Sequence, residues 1–363
     1  MPSKKKHKKI LVVCPYPEDT APGQRLKYEQ YYGSWRKAGY ELTVSPFMSQ
    51  RFWKIVYQKG HFFEKVFWTL WGYLIRIRDL FRLPFYDGVY VFLWVTPFGF
   101  PIFERLFASF NKSLVYDIDD MVFLGHVSDA NKFILKLKGR SKMTYLMKKA
   151  KHVITCTPDL DAFVKQYNSR TTDISSTINT ELYVAKTNYP KKNEIVLGWS
   201  GSHSTSKYLH LLDEVIRELS KSYSIKLKVI GDADFCMDGV DVNSMDWNRE
   251  DEVKELSEID IGLYPLPDES WVLGKSGLKA LQYMALGIPA VATSIGANSR
   301  VIADGNDGFL VNTDEEWIAA VKKLIEDHEL REKIGKAARI KVEGHFSIKA
   351  NKKKYLEILK SNI

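Results

Sequence analysis

Lys275, Ser276 and Gly277 stand directly before an apolar run, Leu278, Leu281, Met284 and Ala285, at helical spacing. That spacing predicts a helix whose apolar side meets a core. Gly287 suits its C-terminal stop and Pro289 blocks its continuation, after which Ala290–Thr293 reads as a buried strand. Ser276 is placed to N-cap the helix through its side-chain oxygen. Gly277 lets another molecule approach the first turn closely. Free first-turn N–H groups, the helix dipole and the Lys275 ammonium together suit an anion of the phosphate type.

A second element carries the same chemistry. In Leu197–Leu209 a strand runs into a small Gly/Ser-rich loop with Gly201 and Ser202, and Lys207 is predicted to open the helix that follows. Backbone N–H groups and hydroxyls in such a loop can hold an anion, and Lys207 can reach it as a point charge. Alone, the segment reads as a helix-entry loop with a solvated lysine. Taken with Lys275, the anion-binding reading is the one adopted.

The first half offers two polar clusters. Gly23, Gln24 and Arg25 follow the predicted first strand and suit a phosphate or a polar ligand, or simply a surface loop. Asp117, Asp119 and Asp120 crowd the end of another strand, where three carboxylates resist joint ionisation or await a cation. Helix capping by Asp119 or Asp120 is the alternative. His126 is the histidine nearest to this cluster in sequence.

Between Arg51 and Tyr86, aromatic residues such as Phe63, Phe67, Trp71 and Phe81 interleave with Lys54, Lys65, Arg78 and Arg82. A membrane interface and a helix–helix core both fit that pattern. The basic start, Met1–Lys9, fits a lipid-attracted tail or a solvated one and lacks a signal-peptide cleavage pattern.

The elements that must position these residues alternate. Strands are predicted at Ile10–Pro15, Leu42–Ser45, Val89–Trp94, Ser113–Tyr116 and His152–Cys156, then at Ile195–Trp199, Lys226–Ile230, Ile259–Tyr264, Ala290–Thr293 and Phe309–Val311. Helices fall between them, including Leu26–Ala38, Tyr208–Ser220, Glu252–Leu256 and Glu316–Asp327. The alternation implies an α/β protein with parallel sheets covered on both faces and ligands beyond the strand ends. The polar stretch Asn179–Asn193 reads as a linker between two domains.

Composition agrees with such a pair. The chain has 363 residues, 53 basic and 44 acidic, for a net charge of +9. That excess suits phosphorylated ligands or anionic lipid, and no nucleic-acid motif accompanies it, so nucleic acid is not expected as a partner. Cys14, Cys156 and Cys236 lack metal spacing and read as reduced thiols in or near the core. No apolar run reaches about 18 residues, so no membrane span is expected.

The segment Gln282–Ala292 resembles the C-terminal nucleotide-binding motif of retaining GT-B glycosyltransferases of family 4. In that motif two acids flank seven residues, followed by "AMA-x-G-x-P-V-V-A". Here Gly274 and Gln282 stand in the acid positions, and Asp268 or Glu269 is a substitute for the first. Asp260–Pro267 and Gly305–Val311 also fall in the family's order, so the resemblance covers about Ile195 to Phe346.

The resemblance implies two Rossmann-like doubly wound domains facing a central cleft. An acceptor-side domain would occupy residues 1–186, a donor domain 187–346, and the last helix, about 347–363, would return to the first domain. It further implies a sugar moved from a nucleotide-diphosphate sugar to a glycan or lipid-linked acceptor in surface polysaccharide or cell-envelope glycan synthesis, with retention and without metal or other cofactor. Lys207 matches the lysine of the family's basic pair, and Trp199 replaces its arginine. Lys207, Lys275 and Asp119 are the expected catalytic residues. Gly201, Ser202, Ser276, Gly277 and Leu278 would cradle the diphosphate, Gln282 the ribose, and Trp247 the base. Gly23, Gln24, Arg25 and Asp120 would lie on the acceptor side. The expected location is cytoplasmic, peripheral on the inner face of the membrane. A non-catalytic GT-B partner subunit, or a nucleotide-sugar epimerase or hydrolase, is the alternative.

Overall fold

The computed structural model describes residues 7–110, 113–120 and 140–363. They form two units, Met1–Ser176 with Asn351–Ile363, and Thr177–Ala350. Residues 177–186, expected with the first domain, bond within the second unit. Ile178 bridges to Ser347, the Lys186 N–H donates to the Leu286 carbonyl (2.9 Å), and Arg339 donates to the Thr180 carbonyl (2.8 Å).

The first unit holds a six-stranded sheet of β1 (Lys8–Cys14), β2 (Tyr40–Pro46), β3 (Gly88–Phe92), β4 (Leu114–Asp117), β5 (His152–Thr155) and β6 (Thr171–Asp173). All pairings are parallel, in the order β2-β1-β3-β4-β5-β6. Ile10–Cys14 is fully buried, as a strand covered on both faces must be. The terminal helix Ile348–Asn362 contributes Tyr355, whose ring lies 4.5 Å from that of Tyr31. Lys8 Nζ and Lys151 Nζ donate to the last carbonyls, of Ile363 (2.9 Å) and Asn362 (3.0 Å).

The second sheet comprises β7 (Glu194–Ser200), β8 (Ser224–Ile230), β9 (Val242–Met245), β10 (Ile261–Tyr264), β11 (Ala290–Thr293) and β12 (Phe309–Val311). Its order is β12-β11-β10-β7-β8-β9, again parallel throughout. The chain reverses direction of sheet growth between β7 and β10, which makes the carboxyl ends of these strands the place where ligands bind in sheets of this kind.

Cys14 and Cys156 are buried as expected. Cys236 is exposed, in the polar loop between β8 and β9. Among the described residues no helix is long and apolar enough to cross a membrane.

Candidate functional site

The β7 and β8 loops are locked together by glycine. Gly201 N–H donates to the Ile230 carbonyl (2.9 Å), and Gly231 N–H to that of Met245 (2.8 Å). Gly231 has φ +110°, and a Cβ there would sit 1.8 Å from the Gly201 carbonyl oxygen. A Cβ on Gly201 would meet the Trp199 ring at 2.3 Å and Lys279 Nζ at 3.0 Å. Neither position tolerates a side chain, and a lysine ammonium fills the space beside Gly201.

Ser202 then N-caps the short helix His203–Ser206 in a capping box with Thr205. Lys207 therefore does not open this helix. It follows it, beginning the 3₁₀ turn Lys207–Leu212, with its side chain exposed. Asp232, after β8, accepts from Ser206 and pairs with His203 Nδ1 (2.9 Å). Hydrogen bonding to Asp232 raises the His203 pKa.

The β10 side is built differently from the expectation at one point. The helix spans Leu278–Ala285 and its N-cap is Gly277, at φ +74°, with no side-chain cap bond. Ser276 lies one residue too early to cap it. A left-handed N-cap is a glycine conformation, and Val301 closes the position behind it, 2.9 Å from where a Cβ would stand. The first-turn N–H groups of Leu278, Lys279 and Ala280 are thus left without a side-chain cap at the positive end of the helix dipole.

Lys207 and Lys275 each lie on one ring of a packed aromatic pair. Lys207 Nζ lies 5.1 Å from the Tyr208 ring centroid and Lys275 Nζ 5.3 Å from that of Trp271. The Tyr208 and Trp271 rings are themselves 5.6 Å apart at 36°. The two loops carry their cations on one aromatic pair. Glu269, the proposed substitute acid, accepts from Trp271 Nε1 (2.5 Å) and so supports the same ring.

A third cation was not singled out from the sequence. Lys279 Nζ stands 4.5 Å from the Trp199 ring centroid and 5.3 Å from that of Tyr264. Burial between these rings, with the Lys275 charge nearby, brings its pKa down to about 7. The available signal was a second lysine, Lys279, in the first turn of the predicted helix, close in sequence to Lys275. Trp199, noted as replacing an arginine, instead supplies the ring that holds this lysine.

Gln282 and Trp247 come together on a carboxylate that was not predicted. Gln282 Nε2 donates to Tyr183 Oη (2.9 Å) and to Glu252 Oε1 (3.2 Å), and Trp247 Nε1 donates to the same Glu252 oxygen (3.2 Å). Glu252 and Gln282 are both buried.

In the first unit, Asp119 Oδ2 lies 2.3 Å from where a Gly23 Cβ would be, so the loops after β1 and β4 meet there. Gln24 is buried and its amide is engaged by Tyr16 O (2.9 Å) and Glu29 Oε1 (2.5 Å). Arg25 is buried, and Asp120 is half-buried. Asp117 turns inward, 2.5 Å from Lys27 Nζ, with both side chains fully buried and Tyr90 also donating to it. The crowding read from three adjacent aspartates is thereby relieved, because one of them has an internal lysine. His126 lies outside the described residues. Among the described residues no three His, Cys, Asp or Glu side chains are grouped to hold a metal ion.

The two doubly wound units, with lysines beside the switch point of the second, have the GT-B fold. Residues 194–327, which include these lysines, match the family described as glycosyl transferases group 1. The fold matches sucrose-phosphate synthase from Thermosynechococcus elongatus over 98% of this chain and 99% of that one, with TM-score 0.71 and 14% identity. It also matches the Anabaena protein HepE, solved in complex with UDP-glucose, over 98% and 100% of the two chains, with TM-score 0.69 and 17% identity. The capsular polysaccharide biosynthesis glycosyltransferase CapM of Staphylococcus aureus is 27% identical over 168 residues, 43% of each chain. The chain therefore spans less than half of that curated relative's length in the match.

Proposed function

We propose that this protein is a glycosyltransferase that moves a sugar from a nucleotide-diphosphate sugar to a glycan or lipid-linked acceptor. The observation that carries the reading is the gathering of Lys207, Lys275 and Lys279 beside an uncapped helix end at the sheet's switch point. Negative charge develops on the diphosphate as the glycosidic bond breaks. Fixed cations and backbone N–H groups stabilise that charge without reorganising at the moment of reaction. Gly201 brings its backbone beside the Lys279 ammonium, Gly277 starts the helix in a left-handed conformation, and Ser202 and Ser276 carry hydroxyls on the same two loops. In this reading the lysines take the place of a metal ion in offsetting the leaving group's charge, and retention is what the family resemblance implies.

Trp247 and Gln282, joined through Glu252, are assigned to the base and ribose. Asp119, set against Gly23, and Asp120 are assigned to acceptor hydroxyls, with Gln24 holding the loop that shapes that corner and Arg25 buried beside it. The relative CapM supports a role in surface polysaccharide or cell-envelope glycan synthesis. The proposed location is the cytoplasmic face of a membrane, peripherally bound.

The test is calorimetry with a panel of nucleotide sugars, followed by product analysis with and without glycan acceptors. Donor binding followed by acceptor-dependent transfer is expected. Heat from no donor would favour a non-catalytic partner subunit. Turnover without an acceptor would favour an epimerase or hydrolase.

A further inference from the structure

The helix Phe62–Arg82 is built inside out. Its buried residues are Gly72, Arg76 and Asp79. Arg76 is fully enclosed and donates to the carbonyls of Val95 (2.8 Å), Ser45 (3.0 Å) and Cys14 (2.9 Å), while Asp79 receives Arg76 Nη1 at 3.2 Å. Gly72 admits the Phe47 ring, whose Cε1 lies 2.6 Å from where a Cβ would be. The polar side is thus bonded to the sheet.

The apolar side faces outward. Phe63, Phe67, Leu70, Leu74, Ile77 and Phe81 follow spacings of four and three residues and form one stripe along the helix, with Phe63 87% and Phe81 77% exposed. Phe98 and Phe100, in the loop after β3, are exposed as well. A groove of about 440 Å³, lined by Phe52, Val56, Phe62, Val66, Leu70 and Phe98, continues this apolar surface inward.

The charges around the stripe have one sign. Arg51, Lys54, Lys59 and Arg78 are exposed, and Lys65 and Arg82 are half-buried. Between Gln50 and Phe85 the only carboxylates are Glu64, paired with Arg51 at 2.7 Å, and the buried Asp79. A second copy docked on this stripe would bring these cations together. Anionic headgroups would answer them, and acyl chains would cover the aromatic residues.

We propose that this face lies on an anionic lipid bilayer, with the Phe62–Arg82 helix in the plane of the interface and its aromatic stripe among the acyl chains. This rests on the membrane location given under the proposed function and names the surface responsible. It does not depend on the donor site. The two readings are therefore separated by a test that measures binding to lipid and no transfer.

The full chain is mixed with vesicles of phosphatidylcholine containing phosphatidylglycerol, or of phosphatidylcholine alone, and floated on a density gradient. Binding to the anionic vesicles is expected, weakened by salt. The double variant Phe63→Glu with Phe67→Glu should reduce partitioning at least about tenfold, because two large apolar side chains are lost from the bilayer. Circular dichroism and donor binding should be unchanged in that variant. Lipids brominated along their acyl chains should quench tryptophan fluorescence, and Trp71→Phe should remove most of the quenching. Equal binding by the double variant would overturn the proposal. So would a stable dimer that ignores vesicles and dissociates on the same substitutions.

Discussion

The ammonium of Lys279 lies 4.5 Å from the centroid of the Trp199 ring, in the space that a side chain on Gly201 would need. A helix on one side of the sheet's switch point and a strand on the other thereby share one cation. Its pKa, brought down to about 7, leaves it partly neutral near physiological pH. A bound diphosphate would favour the charged form, so donor binding should take up a proton. Calorimetry near pH 7.5 in buffers of differing ionisation enthalpy should show net uptake in the native protein and none in Lys279→Met. The sign for stability is opposite. Between about pH 7 and the ordinary lysine value near 10.4, the unfolded chain holds a proton that the folded one lacks. Stability of the donor-free protein should therefore rise with pH across that window, and Lys279→Met should flatten the rise.

Lys207 and Lys275 sit on a shared pair of rings, which leads to a coupled prediction. Lys207→Ala and Lys275→Ala should each lower transfer by about 10²-fold, the scale of losing one charge-stabilising partner. Each should alter stability by no more than about 0.5 kcal/mol, as expected for a lysine that is not fully buried. Steady-state rates with urea denaturation check both statements. If the cations act on one diphosphate, the double variant should lose less than the product of the single losses.

Glu252 explains why an amide stands at position 282. A carboxylate there would face the Glu252 oxygen that Gln282 Nε2 now approaches at 3.2 Å. In Gln282→Glu, two buried carboxylates would compete and one would hold its proton. Its folded-state pKa would lie above its unfolded value. The stability this proton provides is then lost as pH rises through the folded-state value. Urea midpoints at pH 5 and pH 8 should differ more for this variant than for the native protein.

Gly231→Ala should be severely destabilising. The substitution combines φ +110° with a Cβ placed 1.8 Å from the Gly201 carbonyl oxygen. Strain and overlap together should cost at least about 2 kcal/mol, or the β7 and β8 loops must part. Denaturation midpoints and donor affinity should fall together, because the same contact positions Gly201 beside Lys279.

The sequence by itself determined the alternation of strands and helices, the parallel sheets, the Lys275–Gly277 corner and the Lys207 loop. Local periodicity and turn chemistry report the elements and loops, and their strict alternation implies the parallel pairing. Two edge strands, Thr171–Asp173 and Val242–Met245, escaped notice because they are short and incompletely buried, leaving no apolar run to read. Only the tertiary structure decided that Lys279 enters the cation group, that Glu252 joins Gln282 to Trp247, and that Lys27 takes Asp117 out of the acidic cluster. It also decided which side of the Phe62–Arg82 helix is bonded inward. These arrangements join residues from separate elements. Residue type and spacing do not encode the distances on which such electrostatics depend.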